Sequence, residues 1–220
     1  MMNKKFKSII FDLDGTLIDS GPDLLEALNF VLEKNNLERI DSKVIGNLVG
    51  GGAEAMIKKG YDYLGKKIDN NIPYLVETFL NFYSENCSVK TKLYLGTYDT
   101  LKNLKENDIL IGLCTNKKQF LAEKILKNLK IFPFFDFILG SDGNIPLKPD
   151  ISMPKKCMNH LNTKNYETIF VGDSENDISP SKTLGMLSVF VTYGYGKLSN
   201  SIKPDFEIDK ITEILKIVNN

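Results

Sequence analysis

An α/β fold with a parallel sheet and an inserted helical unit is what this sequence predicts, from three observations. Short apolar runs rich in Ile, Val and Phe alternate with stretches of helical periodicity along most of the chain. The alternation is interrupted once, between about residues 18 and 83, where helical patterns follow one another without a clear strand. The 220 residues, 42% hydrophobic and 25% charged, suit a globular domain carrying an insertion. Strand–helix alternation requires a parallel sheet with helices on both faces. The expected core domain is therefore residues 1–17 and 84–220, and the expected helical cap is residues 18–83.

Each element has its own signal. The run "KSIIFDL" (7–13) opens the sheet as a buried strand. In the insertion, Leu24, Leu25, Leu28, Val31 and Leu32 fall on one helical face, and helices are expected over Ala53–Leu64 and Pro73–Tyr83. The core resumes with a helix over Asp99–Asn107 and the strand "ILIGLCT" (109–115). Lys118–Leu129 repeats apolar residues at helical spacing, and "FDFILG" (135–140) is the next strand. In "SMPKKCMNHL", Ser152 is the expected N-cap, with Pro154 in the first turn. The strand "TIFVGD" (168–173), a helix over Asn176–Leu184, the strand "LSVFVTY" (187–193) and a helix over Asp209–Val218 complete the chain.

Charge and cysteine usage narrow the function classes. Lys+Arg and Asp+Glu are 28 each, so no basic excess points to nucleic acid or an anionic membrane. Arg39 is the only arginine, so an anion must be gripped by lysine, hydroxyls, backbone N–H groups or a metal. Cys87, Cys114 and Cys157 are odd in number and scattered, which fits buried core residues in a reducing compartment. The opening "MMNKKFKSIIFDLDG" fails as a signal peptide and no segment is apolar enough to span a membrane, so the cytoplasm is the expected location.

In an open parallel sheet, ligands bind beyond the carboxyl ends of the strands. Four of those ends carry polar clusters: Asp12-Leu13-Asp14-Gly15-Thr16, Thr115-Asn116, Leu147-Lys148-Pro149, and Gly172-Asp173-Ser174 with Asp177 one turn on. Residues i and i+2 of an extended chain face one way, so Asp12 and Asp14 can share a pocket. Two carboxylates so close repel unless neutralised, and Asp173 adds to the repulsion. A magnesium ion resolves it, because that ion takes a few carboxylates plus water and a substrate phosphate. Thr115, backbone N–H groups and Lys148 suit the phosphate itself. Taken singly, the same residues also read as a turn, a helix cap, a helix-end charge and a loop lysine.

Together and in this order, the clusters resemble the four motifs of the haloacid dehalogenase-like (HAD) hydrolase superfamily: "FDLDGTLIDS", "CTN", "LKPD" and "VGDSENDI". The resemblance covers essentially the whole chain and implies a Rossmann-like core with a C1-type helical cap. It implies Asp12 as nucleophile toward phosphorus and Asp14 as the acid and base that serves the leaving oxygen and then water. It implies Mg2+ held by Asp12, the Asp14 backbone carbonyl and Asp173, with Asp177 supporting. It also implies a phosphoryl site at Thr115, the Asn116 backbone and Lys148. The acid at Asp14 separates the chain from dehalogenases and phosphonoacetaldehyde hydrolases, and "GDS" separates it from β-phosphoglucomutases.

A finer resemblance, to the phosphoglycolate phosphatase subfamily, rests on "VGDSENDISPSKTLGMLSVFVTYGYG" and on "LVGGGAEAMIKKG" (48–60). It makes Gly50, Gly51 and Gly52 a cap loop able to offer N–H groups to an anion, and 2-phosphoglycolate the expected substrate. Pyrophosphate, nucleoside monophosphates and sugar phosphates are the alternatives, and a non-catalytic binding protein on the same fold is the rival of a different class. A core that grips only the phosphoryl group leaves discrimination to the cap. Lys58 and Lys59 read as solvated helix lysines, and His160 as a surface or packing residue. The expected partners are a small phosphate ester and at most a second copy of the chain (monomer or homodimer).

Overall fold

The computed structural model describes residues 6–69 and 71–219. Its chain divides into two compact units, one of residues up to Asp19 and from Leu93 onward, the other Ser20–Lys92.

The first unit is an α/β layer structure. Strand β1 (Ser8–Phe11) leads to the short β2 (Ile18–Asp19), where the chain leaves the unit; the short β3 (Lys92–Leu93) marks its return. Then come α5 (Thr97–Glu106), β4 (Leu110–Lys118), α6 (Gln119–Asn128), β5 (Phe137–Ser141), α7 (Ser152–His160), β6 (Thr168–Gly172), α8 (Glu175–Thr183), β7 (Leu187–Val191), β8 (Phe206–Ile208) and α9 (Ile214–Asn219). The six long strands form one sheet in the order β5-β4-β1-β6-β7-β8, every neighbouring pair parallel. β1 lies at the centre, with Phe11 between Leu113 and Val171. Its four residues are all buried, as a strand covered by helices on both faces requires. The one polar residue among them, Ser8, is satisfied by a closed ring of hydroxyls with Thr163 and Thr168 at 2.8–3.0 Å.

The second unit holds α1 (Gly21–Lys34), α2 (Ile45–Leu48), α3 (Gly52–Tyr63) and α4 (Ile72–Asn86). Leu25, Leu28, Val31 and Leu32 of α1 are buried, as are Met56 and Ile57 of α3 and Leu75, Phe79 and Tyr83 of α4. The unit thus owns a hydrophobic core. Buried Asp23 accepts from the N–H groups of Lys90 and Thr91 and from the Thr91 hydroxyl, fastening the outgoing segment to the first turn of α1.

The second unit runs over Ser20–Lys92, rather than the 18–83 expected for the insertion, and two local expectations also differ from the fold. The edge strand β8 was not expected: "FEI" is too short and too polar to register as an apolar run, and pairing with β7 makes it a strand. Ser152 is the first residue of α7 rather than its N-cap, and its N–H is taken by the Asp150 side chain at 2.8 Å. No helix among the described residues is long and apolar enough to cross a membrane.

Candidate active site

The carboxyl ends of β1, β4 and β6 bring the chemistry-bearing residues together. Asp12 follows β1 directly and its N–H still bonds Val171 of β6 at 2.9 Å. In β4 the pairing with β5 shifts register between Cys114 and Lys118. Such an irregularity re-aims side chains, and Thr115, Asn116 and Lys117 lie within it. Asp173 follows β6, and Asp177 sits in the first turn of α8.

Lys148 comes from the segment between β5 and α7 and is buried. Its Nζ lies 2.8 Å from Asp12 Oδ1 and 2.6 Å from Asp177 Oδ1. Its backbone is locked by Asn116, whose amide donates to the Lys148 carbonyl at 2.8 Å and accepts from the Lys148 N–H at 2.9 Å. The Asn116 side chain is therefore a positioning group for Lys148. Asp177 is fixed from the other side, its Oδ2 accepting from the Ser174 N–H at 3.1 Å and hydroxyl at 2.8 Å. Glycine at 172 permits this close approach, since a Cβ there would fall 2.2 Å from that of Asp177.

Asp173 is cradled by backbone. Its Oδ2 accepts from the N–H groups of Tyr195 at 2.7 Å and Gly196 at 3.1 Å, in the loop after β7. Gly15, at φ +80°, leaves room on the opposite side, where a Cβ would lie 2.1 Å from the same oxygen.

Asp12, Asp173 and Asp177 each present an oxygen within 4.8 Å of the others. Burial raises the Asp12 carboxyl to about 6, Lys148 opposing and Asp177 reinforcing the shift. Burial, and then the charges of Asp177 and Asp12, raise Asp173 to about 7. Burial alone would lower the Lys148 ammonium, but Asp12 and Asp177 outweigh it and hold the group above its ordinary range. Three buried carboxylates against one ammonium leave negative charge uncompensated, and every donor is a hard oxygen. That donor set fits a magnesium ion.

The Asp14 carboxylate is not part of this cluster. Both its oxygens lie 2.8 Å from Lys117 Nζ. Lys117 is the residue that sequence reasoning missed: "TNKKQF" offers two adjacent lysines with nothing to mark the first as 6% exposed and ion-paired. The Thr115 hydroxyl, buried within β4, accepts from the Lys117 N–H at 3.2 Å.

The remaining candidates belong to other elements. In the second unit, Gly50, Gly51 and Gly52 have φ of +100°, +81° and +85°, consecutive left-handed residues just ahead of or opening α3. Lys59 Nζ lies 3.4 Å from the Leu48 and Val49 carbonyls, and Lys58 pairs with Glu54 at 2.6 Å. His160 stacks on Phe137 with ring centroids 4.0 Å apart, as a packing group. The three cysteines are free and buried, and burial pushes the Cys114 thiol up to about 12.

The sequence that builds this arrangement, a parallel sheet with Asp12 after its central strand and buried Lys148 paired with it, is matched by a protein-family model. The model described as haloacid dehalogenase-like hydrolase covers residues 9–191, and the chain belongs to that family. Within it the chain is phosphoglycolate phosphatase-like. It is 32% identical over 225 residues to the phosphoglycolate phosphatase of Mannheimia succiniciproducens, covering 99% of this chain and 100% of that one. With the phosphoglycolate phosphatase of Aquifex aeolicus it shares 34% identity over 212 residues, 96% of each chain. A crystal structure described as a predicted phosphoglycolate phosphatase from Haemophilus somnus superposes with a TM-score of 0.89 at 30% identity, over 98% of this chain and 99% of that one.

Proposed function

We propose that the chain is a magnesium-dependent phosphatase that hydrolyses a small phosphomonoester through an aspartyl-phosphate on Asp12, with 2-phosphoglycolate as preferred substrate. The observation that carries this reading is the division of two neighbouring carboxylates between two ammonium groups, Asp12 on Lys148 and Asp14 on Lys117. One carboxylate can then attack while the other handles protons. Lys148 occupies Asp12 Oδ1, which leaves Oδ2 to attack phosphorus. As the new O–P bond forms, the ester O–P bond breaks, and Asp14, having first taken up a proton from solvent as a carboxylic acid, gives that proton to the departing oxygen. Asp14 then takes a proton from a water that attacks the phosphoryl group, and Asp12 is released.

Thr115, the Asn116 backbone and Lys148 hold the phosphoryl oxygens, since phosphoryl transfer asks mainly for positioning and charge stabilisation. Asp12, Asp173 and the Asp14 carbonyl would hold Mg2+, with Asp177 in support, and the ion when bound supplies charge neutralisation on the phosphoryl group. The second unit is read as a cap whose Gly50–Gly52 loop offers N–H groups to the substrate. The enzyme is read as cytoplasmic, consistent with three free buried cysteines, and as a monomer or homodimer.

The test is phosphate release from 2-phosphoglycolate, a nucleoside monophosphate, a hexose phosphate and pyrophosphate, with Mg2+ and with EDTA, by wild type and Asp12→Asn. Wild type should be active only with Mg2+ and Asp12→Asn inactive though folded. Tenfold preference for any of the last three substrates refutes phosphoglycolate while leaving the phosphatase reading in place. Equal activity of a folded Asp12→Asn protein refutes the mechanism.

A further inference from the structure

The Lys117–Asp14 pair goes beyond what the phosphoryl chemistry requires. Lys148 already supplies the buried cation of the phosphoryl site. A second, nearly buried lysine (6% exposed) grips both oxygens of a carboxylate that is itself 22% exposed. From this geometry we infer that Lys117 selects the substrate by pairing with a carboxylate on its leaving group. The inference rests on Asp14 being the proton donor to the leaving oxygen.

The argument is one of reach. A proton donor must come within about 2.8 Å of the leaving oxygen. Lys117 Nζ lies 2.8 Å from each Asp14 oxygen, so it stands no more than about 5–6 Å from that oxygen. In phosphoglycolate the carboxylate is attached one carbon beyond the ester oxygen, and its oxygens lie about 3 Å from it. The remaining gap is one charge-assisted hydrogen bond. A hydroxyl or a bare alkyl group in the same place offers Lys117 no opposite charge.

The pairing also has a catalytic consequence. Lys117 holds both Asp14 oxygens at 2.8 Å. A substrate carboxylate that takes over one of the two contacts releases one Asp14 oxygen to the reaction while the other stays anchored. Selection then resides in the core as well as in the Gly50–Gly52 loop. It is carried by a lysine because the chain's one arginine, Arg39, is paired with Glu26 and Glu33 in the other unit.

The experiment compares 2-phosphoglycolate with 2-hydroxyethyl phosphate, which keeps the length and loses the charge, in wild type, Lys117→Met and Lys117→Arg. Wild type should favour phosphoglycolate. Lys117→Met should lose roughly ten- to a hundredfold in kcat/KM for phosphoglycolate, chiefly in KM, as expected for one lost charge-assisted hydrogen bond. Its loss on the hydroxyethyl ester, which reads the steadying of Asp14 alone, should be about tenfold smaller, so the preference ratio collapses, while Lys117→Arg keeps most of the preference. If Lys117→Met does not fold, Lys117→Gln, which keeps hydrogen bonding and loses the charge, makes the same comparison. Equal losses on both esters, in kcat, would mean that Lys117 only steadies Asp14, and the inference falls while the substrate reading stands. A wild type indifferent between the two esters overturns both.

Discussion

The two lysine–aspartate pairs of the core look alike in distance and differ in everything else. Lys148 is 2% exposed and bridges two carboxylates that are themselves nearly buried, Asp12 and Asp177. Lys117 is 6% exposed and holds a carboxylate that is 22% exposed. The first pair is a closed network: Asn116 fixes the lysine backbone and Ser174 fixes Asp177. The second has a side open to water, where a ligand can exchange with one of its contacts. The difference teaches that two pairs of equal length can differ in freedom. The one whose partners are all fixed is held rigid, whereas the half-open one leaves a carboxylate that water or a ligand can reach, which is why the proposed roles are divided between them as they are.

The largest expected effect breaks the first pair. Lys148→Met removes the cation paired with Asp12 and Asp177 and leaves two buried carboxylates without it. Turnover should fall by on the order of a hundredfold or more on every substrate, as for loss of one transition-state charge stabiliser. Stability should fall by about 3 kcal/mol, because half of a buried ion pair is left unpaired. Lys58→Ala, which removes only an exposed pair with Glu54, should leave turnover near wild type. Steady-state kinetics and urea unfolding check this, and a severe loss in Lys58→Ala with a mild one in Lys148→Met would move the chemistry to the inserted unit.

An effect confined to some substrates, and so smaller over the whole panel, is expected at the second pair. Asp14→Asn keeps the shape and removes the proton. An alkyl phosphate, with a poor leaving group, should lose on the order of a hundredfold or more, and an aryl phosphate far less. Equal losses would mean that Asp14 shapes the site without transferring a proton.

Much of this site was legible in the sequence, because the strand ends of a parallel sheet are fixed by the apolar runs that precede them. Reading where "SIIF" and "TIFVG" stop was enough to gather Asp12 and Asp173. What stayed illegible depends on contacts made across the fold. Lys117 needs the register shift in β4 to reach Asp14, and nothing in "NKK" announces it. The N–H groups of Tyr195 and Gly196 belong to a loop whose glycines suggest close packing, but only the fold shows that the packing is on Asp173. Asn116 was assigned a backbone role alone, and the side-chain lock on Lys148 required the distance between β4 and the loop after β5 to be known.

The smallest effect separates the pairs by pH and metal. Asp12 and Asp173 have carboxyls raised to about 6 and about 7 from an ordinary value of 3.8. As pH rises past about 4 these groups ionise first in the unfolded chain and only near 6–7 in the folded one. Without metal, their contribution to stability therefore falls between pH 4 and 7 and does not return above it. Lys148 changes nothing in this window, because its ammonium is raised above an already high unfolded value. Mg2+ requires the ionised carboxylates, so protons compete with it below pH 7. At tenfold excess over its Kd, Mg2+ should stabilise the protein by about 1.4 kcal/mol, or about 3–5 °C in Tm for a chain of this size. The shift should be full at pH 8 and nearly absent at pH 5. Asp173→Asn should abolish it, since that side chain belongs to the acidic cluster, whereas Asp14→Asn should retain it, since the Asp14 carboxylate is bound to Lys117. Thermal unfolding of the three proteins with and without Mg2+ at the two pH values decides it. A shift at pH 5 as large as at pH 8, or one lost in Asp14→Asn but kept in Asp173→Asn, would place the metal at the wrong pair.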